Sequence, residues 1–436
     1  MINRRHFLGA MSMPAAAALN GVFLSPSRIE RALAVAGELA AHPGTASEVV
    51  EDEYFWAQVR QAFSAEAGII NLNSGGVSPS PIVVQEAMKR YLDYSNTSPT
   101  YAMWQILEPQ REQVRERLAR EWDTDPEEVA LVRNASEGLQ ICQFGLDLEP
   151  GDEIVTTTQD YGRMVTTWQQ RERREGLVLR QIKIPVPAED DEQIVRLFEA
   201  AITPRTRVIH MCHMINLTGQ ILPVAKVVNM ARRHDISVIV DGAHTLAHFD
   251  FKISDLECDY YATSLHKWLF APHGTGLLYV RRDKIAGLWP MMAAPEKMDD
   301  DIRKYEEIGT HPAANYLGIG DALTFHQGIG SERKTARLIY LRDTWANRLQ
   351  GFSDRVWLNT SQKPGRAAGI ANVHVEGIDT TALNSWLWSR HKIITVAINH
   401  AEFTGLRISP SVFTTLEELD RFCEAIEHAI SHGIPA

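Results

Sequence analysis

The chain has little cysteine for its length, with four residues in 436. They are scattered and show no Cys-x-x-Cys spacing, at Cys142, Cys212, Cys258 and Cys423. The sequence therefore gives no support for a disulfide framework or a thiolate metal site, since each needs thiols in a recognisable pattern. We expect the cysteines to be buried and to pack as small apolar side chains.

An excess of positive charge is also absent, because 44 Lys and Arg residues stand against 55 Asp and Glu residues. The formal net charge of −11 argues against nucleic acid or an anionic membrane surface as the partner. The His-Glu-x-x-His pattern of zinc hydrolases is missing among the 16 histidines, which argues against a metal-dependent hydrolase.

Long hydrophobic runs are lacking too, and no stable membrane span is predicted. The N-terminus carries Asn3-Arg-Arg-His-Phe-Leu8, followed by an alanine-rich apolar stretch that Pro14 and Gly21 interrupt. This pattern resembles a twin-arginine export signal, with a small-residue cleavage site after Ala34 or Ala36. The alternative interpretation is an amphipathic N-terminal helix.

We predict that residues 1–36 are this signal peptide and that residues 37–68 form a linker and an N-terminal helix. The linker, over 37–52, is rich in Ala, Gly, Glu and Pro, and the helix runs from Glu53 to Ala65. The expected location is the periplasm, reached through the twin-arginine export machinery. An uncleaved signal that tethers the protein outside the cytoplasm is the alternative.

The middle of the chain alternates between apolar β segments and helical segments. Helices are predicted at 108–122, 137–146, 162–175, 191–202 and 224–234. The predicted strands are Val129–Val132, Ile154–Thr158, Val178–Ile184, Val208–Cys212, Val238–Val240, Tyr260–Thr263 and Leu277–Val280. Apolar strands separated by helices indicate an α/β fold with a mostly parallel seven-stranded sheet flanked by helices.

A second, smaller region follows two long helical stretches. Its predicted strands are 370–375, 393–397 and 405–409, and its predicted helices are 379–390 and 415–432. This composition is typical of a small α+β domain. We predict a large domain over residues 69–314 and a small C-terminal domain over residues 315–436.

Two segments place reactive side chains at the ends of predicted strands. Val238-Ile-Val-Asp-Gly-Ala-His244 ends its apolar run at Asp241, and Ala262-Thr-Ser-Leu-His-Lys-Trp268 carries Lys267. Ligands of such sheets bind beyond the carboxyl ends of the strands. A lysine and a carboxylate there suit pyridoxal 5'-phosphate (PLP), whose aldehyde bonds to a lysine amine and whose pyridine nitrogen needs an anion to stay protonated.

The apolar residues around Lys267 predict a buried amine with a lowered pKa, which suits bonding to the cofactor and later proton transfer. Arg133-Asn-Ala-Ser-Glu-Gly138 joins a strand to a helix, where free backbone N–H groups can hold a phosphate. Ser264 and His266 can add two donors to the same phosphate. Ordinary helix capping is the alternative role for the Asn and Ser of the first segment.

Four further residues are candidates around the cofactor and the substrate. Tyr161 can stack on the pyridine ring, Asn216 and His244 can bond to its phenolic oxygen, and Arg407 presents a planar fork for an α-carboxylate. The alternatives are that Tyr161 is an ordinary surface tyrosine, that His244 is a loop histidine hydrogen-bonded within the protein, and that Arg407 is a surface arginine of a strand.

The order of these motifs resembles the fold-type I, class V aminotransferase superfamily, in its isopenicillin N epimerase-like and cysteine-desulfurase-like branch. The resemblance covers residues 70–432. It implies that Lys267 bonds to the cofactor and that Asp241 contacts the pyridine nitrogen. It further implies roles for the phosphate-binding, ring and substrate positions, which are Ala135, Ser136, Ser264, His266, His244, Asn216 and Arg407. Gly309-Thr310 resembles a segment that reaches the phosphate of a neighbouring subunit, which implies a homodimer with shared sites.

Two residue differences from the desulfurases argue against a desulfurase reaction. The ring-stacking position carries Tyr161 where desulfurases usually have histidine. Residues 391–406 contain no cysteine that could act as a nucleophile, and Cys423 lies in the last predicted helix. Persulfide chemistry is therefore not expected.

The leading hypothesis is removal of the α-proton of an amino acid or a peptide-borne amino acid by Lys267. Epimerisation, transamination, an oxidative variant and elimination by a β-lyase all remain open. Candidates for a second acid are Tyr161, Tyr101 and His213. Periplasmic tailoring of a siderophore peptide is an alternative function, and a non-catalytic protein that binds PLP or an amine is a second one.

Overall fold

The computed structural model describes residue 35 and residues 37–434. Its strands are β1 (Ile70–Asn71), β2 (Val129–Val132), β3 (Glu153–Thr157), β4 (Val178–Ile182), β5 (Thr206–Cys212), β6 (Ser237–Asp241), β7 (Tyr260–Ser264), β8 (Gly276–Val280), β9 (Val356–Leu358), β10 (Ala371–Val375), β11 (Ile393–Ile394), β12 (Val396–Asn399) and β13 (Thr404–Ile408).

The α-helices connect these strands and pack on both sides of the sheet. They are α1 (Ala46–Val49), α2 (Glu53–Gln61), α3 (Ile82–Thr97), α4 (Pro99–Tyr101), α5 (Arg111–Glu121), α6 (Ala135–Gly145), α7 (Gly162–Glu175), α8 (Asp191–Ala200), α9 (Val224–Arg232), α10 (Ala313–Ile329), α11 (Ser331–Phe352), α12 (Thr380–Trp386) and α13 (Leu416–His432). Short π-helical turns extend α4 over Ala102–Leu107 and α12 over Leu387–His391.

A seven-stranded sheet in the order β2-β8-β7-β6-β5-β3-β4 forms the large layer of the fold. All neighbouring pairs are parallel except those that β8 makes with β2 and β7. This confirms the predicted mostly parallel sheet, and each of its strands overlaps a predicted segment. The central strands β3, β5, β6 and β7 are buried except at Arg207 and Ser237 near their starts, because helices cover both faces.

The strand register brings the predicted site residues to one edge. Cys212 at the end of β5 lies beside Asp241 at the end of β6, and Asp241 lies beside Ala262 of β7. Because these three strands are parallel, the turns that follow them open toward the same space.

A second sheet has the antiparallel order β12-β13-β10-β9. Strand β9 was not predicted, because it has three residues and its central Trp357 is 43% exposed. Strand β1 pairs in parallel with β11, so Ile70 packs in the same apolar cluster as Leu406 and Ile408. The first strand of the predicted large domain thus contacts the C-terminal region, and the predicted domain boundaries stay a prediction.

The segment predicted as a linker packs against α11. The guanidinium of Arg333 donates hydrogen bonds to the carbonyl oxygens of Leu39, His42 and Gly44 at 3.3, 2.7 and 2.8 Å, and Val49 is 1% exposed. A planar fork with several donors can bind several backbone acceptors at once, which the composition of the segment does not reveal. The predicted signal peptide lies outside the described residues apart from residue 35. Among the described residues, no helix is long and apolar enough to cross a membrane.

Candidate active site

Lys267 lies in the turn after β7, and its amine is held inside the protein. Its Nζ atom is 3.1 Å from Nε2 of His244. Burial lowers the pKa of the Lys267 amine to about 8, although the nearby carboxyl of Asp241 partly opposes this shift. A lysine with this pKa exchanges its proton near neutral pH, as a general base must.

Asp241 ends β6 and is also buried. Its Oδ1 atom accepts a hydrogen bond of 2.9 Å from the backbone N–H of Ala243. Burial raises the pKa of the Asp241 carboxyl to about 6, and that hydrogen bond and the Lys267 amine only partly offset the shift. A carboxylate that lacks a full counter-charge favours a bound cation or a protonated nitrogen beside it.

His244 contacts the Lys267 amine and has a ring nitrogen without a partner among the described residues. Burial holds its pKa well below the usual range, and the positive charge of Lys267 acts in the same direction. Its Nδ1 atom is buried and has no hydrogen-bond partner among the described residues. An unpaired buried polar atom at a strand edge indicates a place for a ligand atom.

The predicted phosphate cradle lies at the N-terminus of α6. The side chain of Asn134 caps this helix by accepting a hydrogen bond of 2.9 Å from the N–H of Glu137. The N–H of Ala135 donates to Oγ of Ser264 at 3.0 Å, so the helix end and the turn of Lys267 touch. A Cβ atom on Gly276 would lie 2.7 Å from Cα of Asn134, so the cradle depends on this glycine. Helix N-termini bind anions through such N–H groups.

The two other residues predicted to bind the phosphate are Ser136 and His266. Ser136 is in the first turn of α6, beside Ala135. The ring of His266 is oriented by a contact of 3.1 Å between its Nδ1 atom and the carbonyl oxygen of Thr275. The second ring nitrogen of His266 therefore remains available to a ligand.

Arg407 on β13 is 7% exposed and is the candidate for the substrate carboxylate. Its guanidinium donates to the carbonyl oxygen of Asn216 at 3.1 Å and to Oδ1 of Asn73 at 2.6 Å. Burial lowers the pKa of Arg407 to about 10, with Tyr161 acting in the opposite direction. Nε of Arg407 and Oδ1 of Asn216 have no partner among the described residues, which leaves both for ligands.

Tyr161 is the residue before α7 and is 37% exposed. This position at the sheet edge is compatible with stacking on a ring. The two other candidates for a second acid are less suited. The ring of His213 packs edge-on against Phe249 and Phe251, and burial lowers its pKa to about 3. Tyr101 is largely exposed.

Thr310 is exposed and lines a separate cavity of about 270 Å³. That cavity also contains Trp104, Arg111, His311 and Tyr316, and none of the residues described around Lys267. The role expected for Gly309-Thr310 requires a neighbouring subunit and stays a prediction.

Asn73 was missed by the sequence analysis, although it contacts the guanidinium of Arg407. It lies two residues after the end of β1. The two residues are 334 positions apart, so no local pattern predicts their contact.

The stretch that would carry a desulfurase cysteine is a short hairpin between β12 and β13. Nε2 of His400 contacts the carbonyl oxygen of Thr158 at 2.9 Å, and the hydroxyl of Thr158 donates to Glu402 at 2.7 Å. The hairpin is therefore fixed to the end of β3 and contains no cysteine. The absence of persulfide chemistry stays a prediction.

The fold and the comparisons with known proteins define a PLP-dependent enzyme of fold-type I. The model of the family described as aminotransferase class-V matches residues 70–422, and the chain belongs to this family. The chain is 30% identical over 389 residues to isopenicillin N epimerase from Streptomyces clavuligerus, which covers 85% of this chain and 98% of the relative. Identity to isopenicillin N epimerase from Amycolatopsis lactamdurans is 29% over 391 residues, which covers 85% of this chain and 98% of that relative.

Solved structures agree with this assignment. A mutant of C-DES with glycine covalently linked to its PLP cofactor has a TM-score of 0.75 and 25% identity, covering 84% of this chain and 98% of that one. The complex of C-DES, named there a cystine C-S lyase, with cysteine persulfide has a TM-score of 0.73 and 25% identity, covering 83% and 98%.

The side chains around Lys267 fit PLP. A helix N-terminus with a serine hydroxyl suits the phosphate, a buried carboxylate suits the pyridine nitrogen, and two unpaired polar atoms lie near the lysine and the arginine.

Proposed function

We propose that the enzyme removes the α-proton of an amino acid or a peptide-borne amino acid and returns a proton to the opposite face, which inverts the α-carbon. The single observation that carries the proposal is the buried Lys267 amine, whose Nζ is 3.1 Å from His244 and whose pKa is lowered to about 8. The names of the two epimerase relatives support this outcome over the others.

When PLP is bound, it supplies an electron sink for the charge that develops at the α-carbon. Asp241 is assigned to the pyridine nitrogen; support for this role is that its carboxylate is desolvated and lacks a full counter-charge. The phosphate is assigned to the N-terminus of α6 at Ala135 and Ser136, with the side chains of Ser264 and His266. The N–H of Ala135 would then exchange its bond to Oγ of Ser264 for one to the phosphate. Tyr161 is assigned to the ring face.

Lys267 is the base in this proposal. Because its pKa is close to the working pH, it can accept the α-proton and later release it to solvent. The proton for the opposite face needs a second donor, and Tyr161, which is assigned to the ring face, is the candidate. His244 stays neutral, so it does not add a second positive charge beside the amine. With Asn216, it is assigned to the phenolic oxygen, to which the unpaired Nδ1 of His244 and the side-chain amide N–H of Asn216 can donate.

Arg407 fixes the substrate by its carboxylate. Its Nε is free, while Asn216 and Asn73 hold the two other nitrogens in place. A fork oriented in this way binds a carboxylate without first losing side-chain freedom. Asn73 thereby contributes to binding by holding the arginine.

Exchange of the α-proton tests this proposal. Holoenzyme incubated with single amino acids and short peptides in deuterium oxide is expected to exchange the α-hydrogen and to invert the centre, measured by NMR and chiral chromatography. An Arg407→Lys variant tests the carboxylate site in the same assay. Its KM is expected to rise about tenfold because the planar fork is lost. Stoichiometric 2-oxo acid would indicate transamination instead, and pyruvate from cystine would indicate a β-lyase; either result contradicts epimerisation.

Two further parts of the proposal concern the cell and the assembly. The chain is a homodimer in which Gly309-Thr310 approaches the phosphate of the other subunit; the exposure of Thr310 supports this. The protein is exported by the twin-arginine route, which carries folded proteins and so allows the cofactor to be bound beforehand.

Export is testable by substitution of the arginine pair. A double Arg4→Lys, Arg5→Lys variant is expected to accumulate with the cytoplasmic fraction, whereas the unchanged chain is expected in the periplasm. Fractionation followed by immunoblotting measures this, with Arg31→Lys as the matched control. Equal distribution of the three proteins would contradict twin-arginine export.

A further inference from the structure

The residue after Lys267 is held from two sides by buried polar side chains. The ring of Trp268 is fully buried and stacks on the ring of His248, with centroids 3.6 Å apart and an angle of 13° between the planes. The carbonyl oxygen of Trp268 accepts a hydrogen bond from Nζ of Lys334, a residue of α11. The backbone beside Lys267 is therefore fixed by contacts that lie outside the cofactor site.

The hydrogen bonds of His248 determine its tautomer. Its Nδ1 is 2.7 Å from the carbonyl oxygen of His244, which can only accept a hydrogen bond, so Nδ1 carries the proton. Its Nε2 accepts from the backbone N–H of Gly369 at 2.9 Å and therefore carries none. His248 is a neutral imidazole with both nitrogens paired, and burial, which lowers its pKa to about 3, keeps it so.

These contacts connect three parts of the molecule through one ring. His248 binds the backbone of His244, whose own ring is 3.1 Å from the Lys267 amine, and it stacks on the residue that follows Lys267. At its other end it binds Gly369, two residues before β10 of the smaller sheet. A Cβ atom on Gly369 would lie 3.1 Å from Nε2 of His248 and 3.0 Å from Cβ of Leu338, so a larger residue there would push these neighbours away by a few tenths of an ångström.

Lys334 is a costly residue to bury. Within the part of the chain that the structure describes, no carboxylate forms an ion pair with it, and its contacts are the Trp268 carbonyl and the face of Phe270 at 3.9 Å. Because an unpaired ammonium is destabilising in the interior, burial holds the pKa of the Lys334 amine well below its usual range. An apolar side chain would fill the same space at lower cost. We therefore infer that the Lys334 amine serves to hold the carbonyl oxygen of Trp268 by its hydrogen bond.

We propose that His248, with Lys334, is a positioning residue. It holds the Lys267 amine against His244 and fixes the position of this amine relative to the segment that carries Gly369. This inference rests on the proposed function, in which Lys267 bonds to PLP. His248 touches neither cofactor nor substrate and acts through the backbone of His244 and the ring of Trp268.

Two substitutions separate the hydrogen bonds of His248. The amide nitrogen of His248→Asn can replace Nδ1–H and keep the bond to the His244 carbonyl, whereas the amide oxygen of His248→Gln can replace Nε2 and keep only the bond to Gly369. Holoenzymes are titrated with pH while the visible absorption band of bound PLP is recorded, since this band reports the proton on the nitrogen that joins Lys267 to the cofactor.

We expect the apparent pKa of the band to shift by about one unit or more in His248→Gln and to shift clearly less in His248→Asn. The dissociation constant of PLP is expected to rise about tenfold in the Gln variant, because the His244 carbonyl is left unpaired. Gly369→Ala, which displaces His248 from its far end without changing it, is expected to shift the band in the same direction.

The unfolding temperature of each apoprotein is measured alongside. A contradicting outcome is that all three variants lower the unfolding temperature while the pH profile of the band and the affinity for PLP stay the same as in the unsubstituted protein. In that case His248 supports only the fold, and the positioning role is wrong. If the unchanged protein itself shows no PLP band that depends on Lys267, the proposed function fails first, and that outcome is recognisable without any His248 variant.

Discussion

Replacing Lys267 with alanine is expected to lower kcat for α-proton exchange by at least about 10³-fold, within the range that loss of a general acid–base group produces. The loss follows because the buried amine is both the group assigned to bond to the cofactor and the base with a pKa of about 8. The visible band of the holoenzyme should disappear in the same variant. Steady-state kinetics and absorption spectra measure both effects.

The control for this substitution is Lys183→Ala, which removes an exposed lysine. A small primary amine added to the buffer is expected to restore part of the activity of Lys267→Ala, because it can enter the space of the lost side chain. Exchange at the unchanged rate in Lys267→Ala would show that another group removes the proton.

Replacing Asp241 with asparagine is expected to lower kcat by about 10²- to 10³-fold, the range seen when one electrostatic partner of a developing charge is removed. Asparagine has nearly the same shape but carries no charge to hold the proton of the pyridine nitrogen. Asp321→Asn is the matched control, since burial also raises the pKa of that carboxyl to about 6. It lies on α10 beside Tyr91, and its replacement is expected to leave kcat unchanged.

The Asp241→Asn substitution should stabilise the apoprotein at neutral pH. Because the folded-state pKa of Asp241 is raised from 3.8 to about 6, the folded chain holds more protons than the unfolded chain between these values. The free energy of unfolding therefore falls as pH rises through this window, and Asp241→Asn is expected to regain roughly 1–3 kcal/mol at pH ~7 and almost nothing at pH ~3.5. Chemical denaturation of the apoproteins at both pH values tests this; a less stable variant at pH ~7 would contradict it.

The sheet could be predicted because its strands are short apolar runs between helices. Val238–Val240, for example, differs from the observed β6 only by one residue at each end. The sequence also predicts the ends of these strands as the site, since parallel strands place Asp241 and the turn of Lys267 at one edge. Strand β9 was not predicted because three residues with an exposed central Trp carry no usable periodicity.

Contacts between distant segments could not be predicted. Asn73 reaches Arg407 across 334 positions, and His248 reaches Gly369 across 121. The pairing of β1 with β11 and the packing of residues 37–52 under Arg333 depend in the same way on tertiary structure. Motifs thus predict candidate groups for the cofactor site, whereas the residues that hold those groups in place require the structure.

The central claim is that Lys267 bonds covalently to PLP. Its most direct test is to treat the purified holoenzyme with borohydride, digest it, and locate the pyridoxyl group by mass spectrometry. The account predicts a label on the peptide containing Lys267 and none on the peptide containing Lys334, a fully buried lysine of α11. A label on a different lysine, or a protein that takes up no PLP, would contradict the account.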